Sequence, residues 1–306
     1  MTVANQAGAP SAGITSAVGL LVAGLVTASL SGALLKLMSG ELNVAMMTAG
    51  RYTGYLAVLL PVAAWRYGAQ VVRPPQWQAQ FIRAVLILGA TLTFVWAVMH
   101  LPLATAVAIL YIYPFIVAAL SPLMLGERGS AATWAGIALG FVGIVVVMRP
   151  DLGALNAGAI AALGTGGFYA LHIIFTRKVA NSCPALVSNT FMAIVALALI
   201  LPFAIWWWQP LDMRQAAILL FMGGVNAIAH LLIINAFRLA SAPALAPFTY
   251  AELMGAAVWG FAFFGDMPDF ITVIGMAIIV GSGIMVSQSG NLGRLFARRR
   301  GPSGGG

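Results

Sequence analysis

The chain has 306 residues, of which 61% are apolar and 7% are charged, and its formal net charge is +8. Soluble globular proteins contain about 45–50% apolar and about 25% charged residues, so this composition excludes a water-soluble particle and indicates an integral membrane protein. The single cysteine, Cys183, excludes an internal disulfide.

Apolar stretches bounded by charged residues, prolines or polar clusters predict ten membrane-spanning helices, because one span takes about 20 apolar residues. The predicted spans cover about 14–35, 43–65, 81–100, 103–124, 131–149, 157–176, 185–208, 216–237, 243–264 and 270–288. The polar intervals between them are too short for a separate catalytic domain. The sequence therefore predicts an all-α integral membrane protein.

Lysine and arginine are distributed unequally between the two sets of loops. With the N-terminus inside, 11 of the 15 basic residues fall on the inner face, Arg83 among them, 3 fall on the outer face and Arg51 lies within a span. Cytoplasmic loops collect positive charge during insertion. We therefore expect both termini in the cytoplasm, and no nucleic-acid partner.

The two halves of the chain resemble each other at a shift of 139 residues. This shift places Tyr111 on Tyr250 and Gly126 on Gly265, and it superimposes two helix–tight turn–helix units. Each half has five spans, which is an odd number, so the second half has the opposite orientation in the membrane to the first. Inverted repeats are typical of alternating-access carriers. The predicted units are a first repeat at 14–149, a second at 157–288, and a basic tail at 289–306.

Residues in and beside three of the predicted spans resemble the EamA repeat. They are Lys36 ending the first span, Arg51 early in the second, Pro114 within the fourth, and Gly126-Glu127 closing it. Two such repeats build ten-helix members of the drug/metabolite transporter superfamily, and this chain is most similar to the aromatic amino-acid exporters of the YddG type. The resemblance implies export of amino acids or related metabolites. The second half has no counterpart of Arg51.

Catalytic motifs are absent from the sequence. It has no phosphate-binding Gly-Lys-Ser/Thr motif, no His-Glu-x-x-His and no Gly-x-Ser-x-Gly. The three histidines lie on different spans, without the spacing of metal ligands. We expect no enzyme activity, no cofactor and no metal site, and transport driven by a gradient, with protons as the candidate coupling ion. A membrane-embedded enzyme or a channel is the alternative class.

Ionisable residues within predicted spans are the first candidates for a substrate site, because a charge at the bilayer centre costs about 2.5–3.5 kcal/mol and faces a cavity or a partner. Glu252, in the ninth span, is a candidate for a substrate ammonium or a proton. Arg51 is a candidate for a substrate carboxylate; its structural alternative is pairing with Glu41 or with carbonyl groups at a helix end. Three further basic residues could line the path or serve interhelical hydrogen bonds: His172, His230 and Lys36.

Aromatic residues are candidates because they would contact an aromatic cargo. Tyr111 and Tyr250 are repeat equivalents, as are Tyr113 and Glu252. Pseudo-symmetric partners are expected to meet near the axis that relates the halves. Tyr169 shares a helix face with His172, and Trp96 on the third span shares one with Thr93 and His100. Plain packing is the alternative for each ring.

Four residues are predicted hinges: Pro114, Pro247, Gly223 and Gly224. A proline inside a helix removes a backbone hydrogen bond, so bending there could open one mouth and close the other; a static kink is the alternative. We expect spans 1, 3, 4, 6, 8 and 9 to line a central cavity, by analogy with the family. The rival cargo is a drug or another small metabolite of the same superfamily.

Overall fold

The computed structural model is helical throughout the residues that it describes, which are 10–125, 130–149, 157–179, 182–240 and 242–299. These residues form twelve α-helices and two short 3₁₀ helices. The α-helices are α1 Pro10–Met38, α2 Val44–Tyr67, α3 Trp77–His100, α4 Leu103–Leu110, α5 Tyr113–Leu125, α6 Ala131–Met148, α7 Ala157–Val179, α8 Ala185–Trp206, α9 Met213–Leu239, α10 Ala242–Leu245, α11 Ala251–Phe264 and α12 Phe270–Arg299. The 3₁₀ helices are Gly68–Val71 and Ala246–Tyr250.

Eight helical stretches of the described chain are long and apolar enough to cross a membrane, so the chain is a multi-pass membrane protein. The two other predicted spans differ from these eight. Helix α2 has 24 residues and carries Arg51 and Arg66. The predicted ninth span is divided into α10, a 3₁₀ helix and α11.

Several helix boundaries differ from the sequence prediction, and two of the differences change the interpretation of residues. Helix α3 begins at Trp77 rather than near 81, which places Arg83 inside the helix with 5% of its side chain exposed. Arg83 thus lies within the helix rather than in a loop, because its guanidinium finds hydrogen-bond acceptors within the protein and needs no water. Its place on the inner face stays a prediction. Helix α12 continues to Arg299, so the backbone at 289–299 is helical where a tail was predicted.

Polar residues set several helix ends. The Asn43 side chain accepts a hydrogen bond from the Met46 N–H at 3.0 Å and caps α2. Asp212 caps α9 by accepting from the Gln215 N–H at 2.7 Å. Such caps satisfy backbone donors that the first helical turn leaves free. At the other end of a helix, Gly265 adopts a φ of +69° and terminates α11.

The helices pack in pairs through small residues. Helix α1 runs along α9, α3 along α7, and α6 along α12. A Cβ added to either Gly143 of α6 or Gly275 of α12 would lie 3.0 Å from the other glycine's carbonyl oxygen. Apolar side chains gain little by leaving lipid, so such close backbone contact supplies the packing energy between membrane helices.

Among the described residues, three ion pairs lie at one end of the bundle, which we call the ion-pair end. Lys36 of α1 meets Asp266, between α11 and α12, with 2.7 Å between Nζ and Oδ2. The other two pairs are Arg214–Glu41, with 3.0 Å between Nη1 and Oε1, and Arg149–Asp269. Together they connect α1 and the α1–α2 turn to α9 and α11, and α6 to α12. The alternative that Arg51 pairs with Glu41 is thereby wrong.

These contacts shift the carboxyl groups of the ion-pair end. Hydrogen bonds from Gln215 and Arg214 lower the pKa of Glu41 below its ordinary value. A hydrogen bond from Arg149 lowers the pKa of Asp269 well below its usual range. Both side chains are therefore carboxylates at neutral pH.

Candidate functional site

A cavity of about 130 Å³ lies within the bundle, between helices from both halves of the chain. Its lining comes from α1, α3, α4, α7, α9 and α11. These helices correspond to spans 1, 3, 4, 6, 8 and 9, the six spans that we expected to line the cavity. Two further helices also contribute: α2 supplies Arg51, Tyr52 and Tyr55, and α8 supplies Met192. Helix α2 thus brings the cationic side chain of the cavity.

The helices are broken beside this cavity at two equivalent places. The chain leaves helical geometry at Tyr111 and Ile112 between α4 and α5, and again in the 3₁₀ helix before α11. Pro114 falls in the first turn of α5 and Pro247 in that 3₁₀ helix, where a missing N–H is tolerated. Broken helices within a membrane are accepted where they face protein or a cavity. The hinge role of both prolines remains a prediction.

The other two hinge candidates lie in an unbroken helix. Helix α9 runs continuously through Gly223 and Gly224. Gly223 contacts the backbone of α2: an added Cβ would lie 2.2 Å from the Arg51 carbonyl oxygen and 2.5 Å from the Tyr55 nitrogen. In this conformation Gly223 therefore permits helix contact, and bending there is still a prediction.

Arg51 faces the cavity and is held by a neutral partner. Its Nη2 donates to Asn226 Oδ1 of α9 at 3.2 Å, and both residues line the cavity. Arg51 and Glu252 do not form an ion pair with each other in the described chain. The remaining guanidinium donors of Arg51 therefore have no side-chain partner among the described residues.

Glu252 supplies the negative group of the same cavity, from the first turn of α11. Its Oε2 lies 3.0 Å from the Tyr111 hydroxyl, which is also 2.7 Å from the Thr249 carbonyl oxygen. Ser29 of α1 donates to the Glu252 backbone carbonyl at 3.0 Å. These contacts position α11 against α1 and leave Glu252 Oε1 without a partner in the part of the chain described.

His230 lines the cavity in contact with Tyr55. The Tyr55 hydroxyl and His230 Nδ1 are 2.8 Å apart, and the two rings meet edge to face with centroids 5.5 Å apart. When Tyr55 donates this hydrogen bond, the proton of a neutral imidazole is on Nε2. His230 then presents an N–H donor that has no other partner in the described chain.

The aromatic candidates form one row of contacting rings beside the cavity. Ring centroids are 5.2 Å apart between Tyr250 and Tyr111, 5.5 Å between Tyr111 and Tyr113, and 4.9 Å between Tyr113 and Tyr169. His172 stacks on Tyr169 at 5.8 Å. Of this row, only Tyr169 lines the cavity. The structure thus brings the five candidates into contact, but four of them do not line the cavity.

The last two candidates lie away from the cavity. Trp96 is 45% exposed on the outside of the bundle and contacts His100, with 4.9 Å between ring centroids. Lys36 belongs to the ion-pair end, where its Nζ also lies 4.7 Å from the centre of the Phe264 ring. The candidates that line the cavity are therefore Arg51, Tyr169, His230 and Glu252.

Sequence reasoning missed several cavity residues. Tyr52 and Tyr55 line it, and the Tyr52 hydroxyl is 3.1 Å from Thr91 Oγ1. The helical spacing of Arg51 and Tyr55, four residues apart, was a signal that could have found Tyr55. Asn226 of α9 also lines the cavity. No sequence signal indicated that Asn226 would hold Arg51, because the two are 175 positions apart.

The family model for the EamA-like transporter family matches this chain twice, at residues 15–149 and 156–288. The chain belongs to the EamA-like transporter family. Relatives of this transporter carry different cargoes. The S-adenosylmethionine uptake transporter of Rickettsia prowazekii is 24% identical over 265 residues, which cover 87% of this chain and 90% of the relative.

Two other similar proteins extend the range of cargoes. The riboflavin transporter of Vibrio cholerae is 25% identical, and the alignment covers 78% of this EamA-like transporter and 80% of the riboflavin transporter. A pseudopaline exporter of Pseudomonas aeruginosa is 25% identical, and the alignment covers 68% of this chain and 74% of the exporter. The alignment with one crystal structure covers 92% of this chain and 100% of the crystallised chain, with a TM-score of 0.64 and 19% sequence identity. That likeness concerns the fold alone.

Proposed function

We propose that this protein is a secondary carrier that exports amino acids, aromatic ones among them, across the bacterial inner membrane by alternating access. One observation carries the proposal. Arg51 and Glu252 line the same cavity, and each is hydrogen-bonded by a neutral side chain rather than by the other. A chamber with separate, unneutralised positive and negative groups matches a zwitterion.

The chemistry of each group suits one end of an amino acid. The planar guanidinium of Arg51 can bind a carboxylate through two parallel hydrogen bonds. The free oxygen of Glu252 can accept from an ammonium group, or take up the proton that couples transport to a gradient. Phe94, Tyr52 and Tyr169 add aromatic surface to the lining, where an aromatic side chain can pack.

Alternating access requires two halves that move around the site. We propose ten spans in two inverted five-helix halves, with α4–α5 and α10–α11 as the fourth and ninth. The pairing of α1 with α9 and of α3 with α7 supports this, because the two pairs exchange under the repeat relation. Two family matches in sequence, and helix breaks at equivalent places, support it further.

The orientation and direction complete the proposal. The excess of Lys and Arg in one set of loops supports cytoplasmic termini. Export is implied by the resemblance to amino-acid exporters, and one similar protein is a pseudopaline exporter. Another is an uptake transporter for S-adenosylmethionine, whose methionine part carries the same amino and carboxylate groups. Flux therefore has to be measured in both directions.

A different small metabolite or a drug is the second candidate cargo. The similarity to a riboflavin transporter favours it, as does the aromatic lining. A single cavity arginine argues against cargoes with several phosphates, which need more cationic groups.

The test is flux of labelled L-phenylalanine in liposomes containing the purified protein, with and without a proton gradient. We expect saturable flux in either direction, and Glu252→Gln should remove the gradient-driven component. Asp212→Asn is the matched control, because Asp212 is exposed and asparagine caps a helix equally well. Flux no faster than through empty liposomes, with riboflavin transported instead, would overturn the amino-acid proposal in favour of the second candidate.

A further inference from the structure

A second cluster of polar side chains lies outside the cavity, around Arg83. Arg83 Nε donates to Thr176 Oγ1 of α7 at 2.7 Å, and Nη2 donates to Asn189 Oδ1 of α8 at 2.7 Å. Nη1 donates to Ser188 Oγ and to Gln80 Oε1. Arg83 is 5% exposed, Ser188 7% and Gln80 0%. The guanidinium thus joins α3 to α7 and α8 in a sealed contact.

Every side chain that Arg83 contacts is neutral. The described residues include five carboxylates, and none of them lies within ion-pair distance of Arg83. Four belong to the ion-pair end of the bundle or its flanking turn, and the fifth is Glu252 of the cavity. A buried charge normally has an opposite charge beside it. Here hydrogen bonds satisfy the guanidinium while its charge stays uncompensated.

The cluster lies one helical turn beyond the cavity, on the side away from the ion-pair end. On α3, Arg83 precedes the lining residue Ile87 by four positions, and on α8, Ser188 precedes Met192 by four. One turn corresponds to about 5.4 Å. The Arg83 carbonyl also accepts from His172 Nδ1 at 3.1 Å, and His172 stacks on the cavity residue Tyr169. The cluster therefore closes the cavity toward that end.

The two ends of the bundle are closed by different chemistry. At the ion-pair end, the described cations Lys36, Arg149 and Arg214 already have carboxylate partners, so an arriving carboxylate gains little there. At the Arg83 end, a carboxylate would replace neutral acceptors with the charged partner that Arg83 lacks. Charge-assisted hydrogen bonds are about twice as strong as neutral ones. A ligand shifts a conformational equilibrium only by binding one state better, and a carboxylate meets that condition at this end.

We propose that the Arg83 cluster is a second binding site, for the carboxylate group of the cargo, and that its occupation opens the cavity toward this end. Gln80, Ser188 and Asn189 release Arg83 as the carboxylate binds. The carboxylate of the cargo binds first to Arg83 and then to Arg51 in the cavity. In the proposed orientation this is the cytoplasmic mouth of an exporter. The carboxylate-bearing cargo rests on the proposed function.

The single cysteine provides the measurement. Cys183 lies in this cluster, partly exposed, with its Sγ 3.5 Å from Gln80 Nε2. The rate at which a water-soluble maleimide labels Cys183 should therefore report opening of this end. The full chain is placed in lipid nanodiscs, and three probes are compared: L-phenylalanine, 3-phenylpropanoate with a carboxylate only, and phenethylamine with an ammonium only. Cys183→Ser measures background labelling.

We expect both carboxylates to accelerate labelling several-fold, and phenethylamine to have no effect. Arg83→Gln should abolish the response and raise the KM for L-phenylalanine about tenfold, the loss expected for a charge-assisted hydrogen bond. Arg73→Gln is the control, since it removes an exposed cation from the loop at the same end. Asn189→Asp supplies a permanent carboxylate to Arg83. It should keep labelling slow, and unresponsive to all three probes, in a protein that still folds.

The outcomes separate this inference from the proposed function. Equal responses of wild type and Arg83→Gln to the carboxylates, or an equal response to phenethylamine, would overturn the carboxylate site even if L-phenylalanine is transported. Conversely, an Arg83-dependent response to 3-phenylpropanoate without L-phenylalanine flux would support the site and reject the amino-acid cargo.

Discussion

The carbonyl oxygen of Arg51 lies against the α-carbon of Gly223, where an added Cβ would be only 2.2 Å from it. Because of this contact, α2 and α9 approach closely enough for the Arg51 guanidinium to reach Asn226 across the interface. The glycine thus acts on the cavity through the position of α2, without lining the cavity itself.

Replacing Gly223 with alanine should therefore be costly, while the same change at Gly224 should not. At Gly223 the new methyl group meets the α2 backbone, and forced overpacking costs about 1–3 kcal/mol. At Gly224 an added Cβ would meet only Val58 Cγ2 at an ordinary 3.5 Å. We expect Gly223→Ala to lower the unfolding temperature in detergent and to reduce transport, with Gly224→Ala close to wild type. If both variants lose transport at unchanged stability, bending of α9 is the better explanation.

The Tyr55–His230 contact predicts a loss of affinity when its hydrogen bond is removed. Tyr55→Phe keeps the ring but no longer orients His230 through Nδ1, so the cavity loses a fixed donor. One hydrogen bond contributes about 1 kcal/mol, which corresponds to a rise of about fivefold in KM. Tyr67→Phe is the control, because Tyr67 ends α2 outside the cavity. An unchanged KM for Tyr55→Phe would place the substrate away from His230.

Replacing Lys36 and replacing Asp266, which form an ion pair, should lower the stability of the protein by different amounts. Asp266→Asn removes the charge partner, whereas Lys36→Met also removes the cation above the Phe264 ring. We expect Lys36→Met to destabilise the protein more. A double-mutant cycle should give a coupling of about 1 kcal/mol, since both groups are partly exposed. Additive effects of the two variants would show that the pair contributes nothing at this end.

The Arg149–Asp269 pair predicts a pH dependence of stability. The pKa of Asp269 is lowered by its hydrogen bond from Arg149, so its contribution is complete above the unfolded pKa of about 3.9. It is lost as the pH falls through the lower folded pKa. We expect Asp269→Asn to lower the unfolding temperature at pH 7, with a difference that shrinks below about pH 4. High salt should reduce the same difference, and a pH-independent difference would assign the effect to packing.

Much of the fold could be predicted from sequence because a bilayer leaves few choices. Eight of the ten predicted spans correspond to helices long and apolar enough to cross a membrane, since every backbone group in lipid must be satisfied within its own helix. The two helix breaks coincide with Pro114 and Pro247, whose missing N–H could be seen in advance. Arg83 could not be placed, because a charge two residues inside a predicted helix end looks the same whether it faces water or protein.

Composition and spacing by themselves determined the membrane class, the repetition of the chain, and two charged residues, Arg51 and Glu252, that had to face a cavity or a partner. These features are local, so hydropathy and covalent chemistry decide them. Only the tertiary structure decided which partners those residues have: Asn226 for Arg51, Tyr111 for Glu252, and neutral side chains for Arg83. Apart from Gln80, which lies on the same helix as Arg83, these partners are 93 to 175 positions apart, and helix packing, which no local pattern encodes, brings them within hydrogen-bond distance.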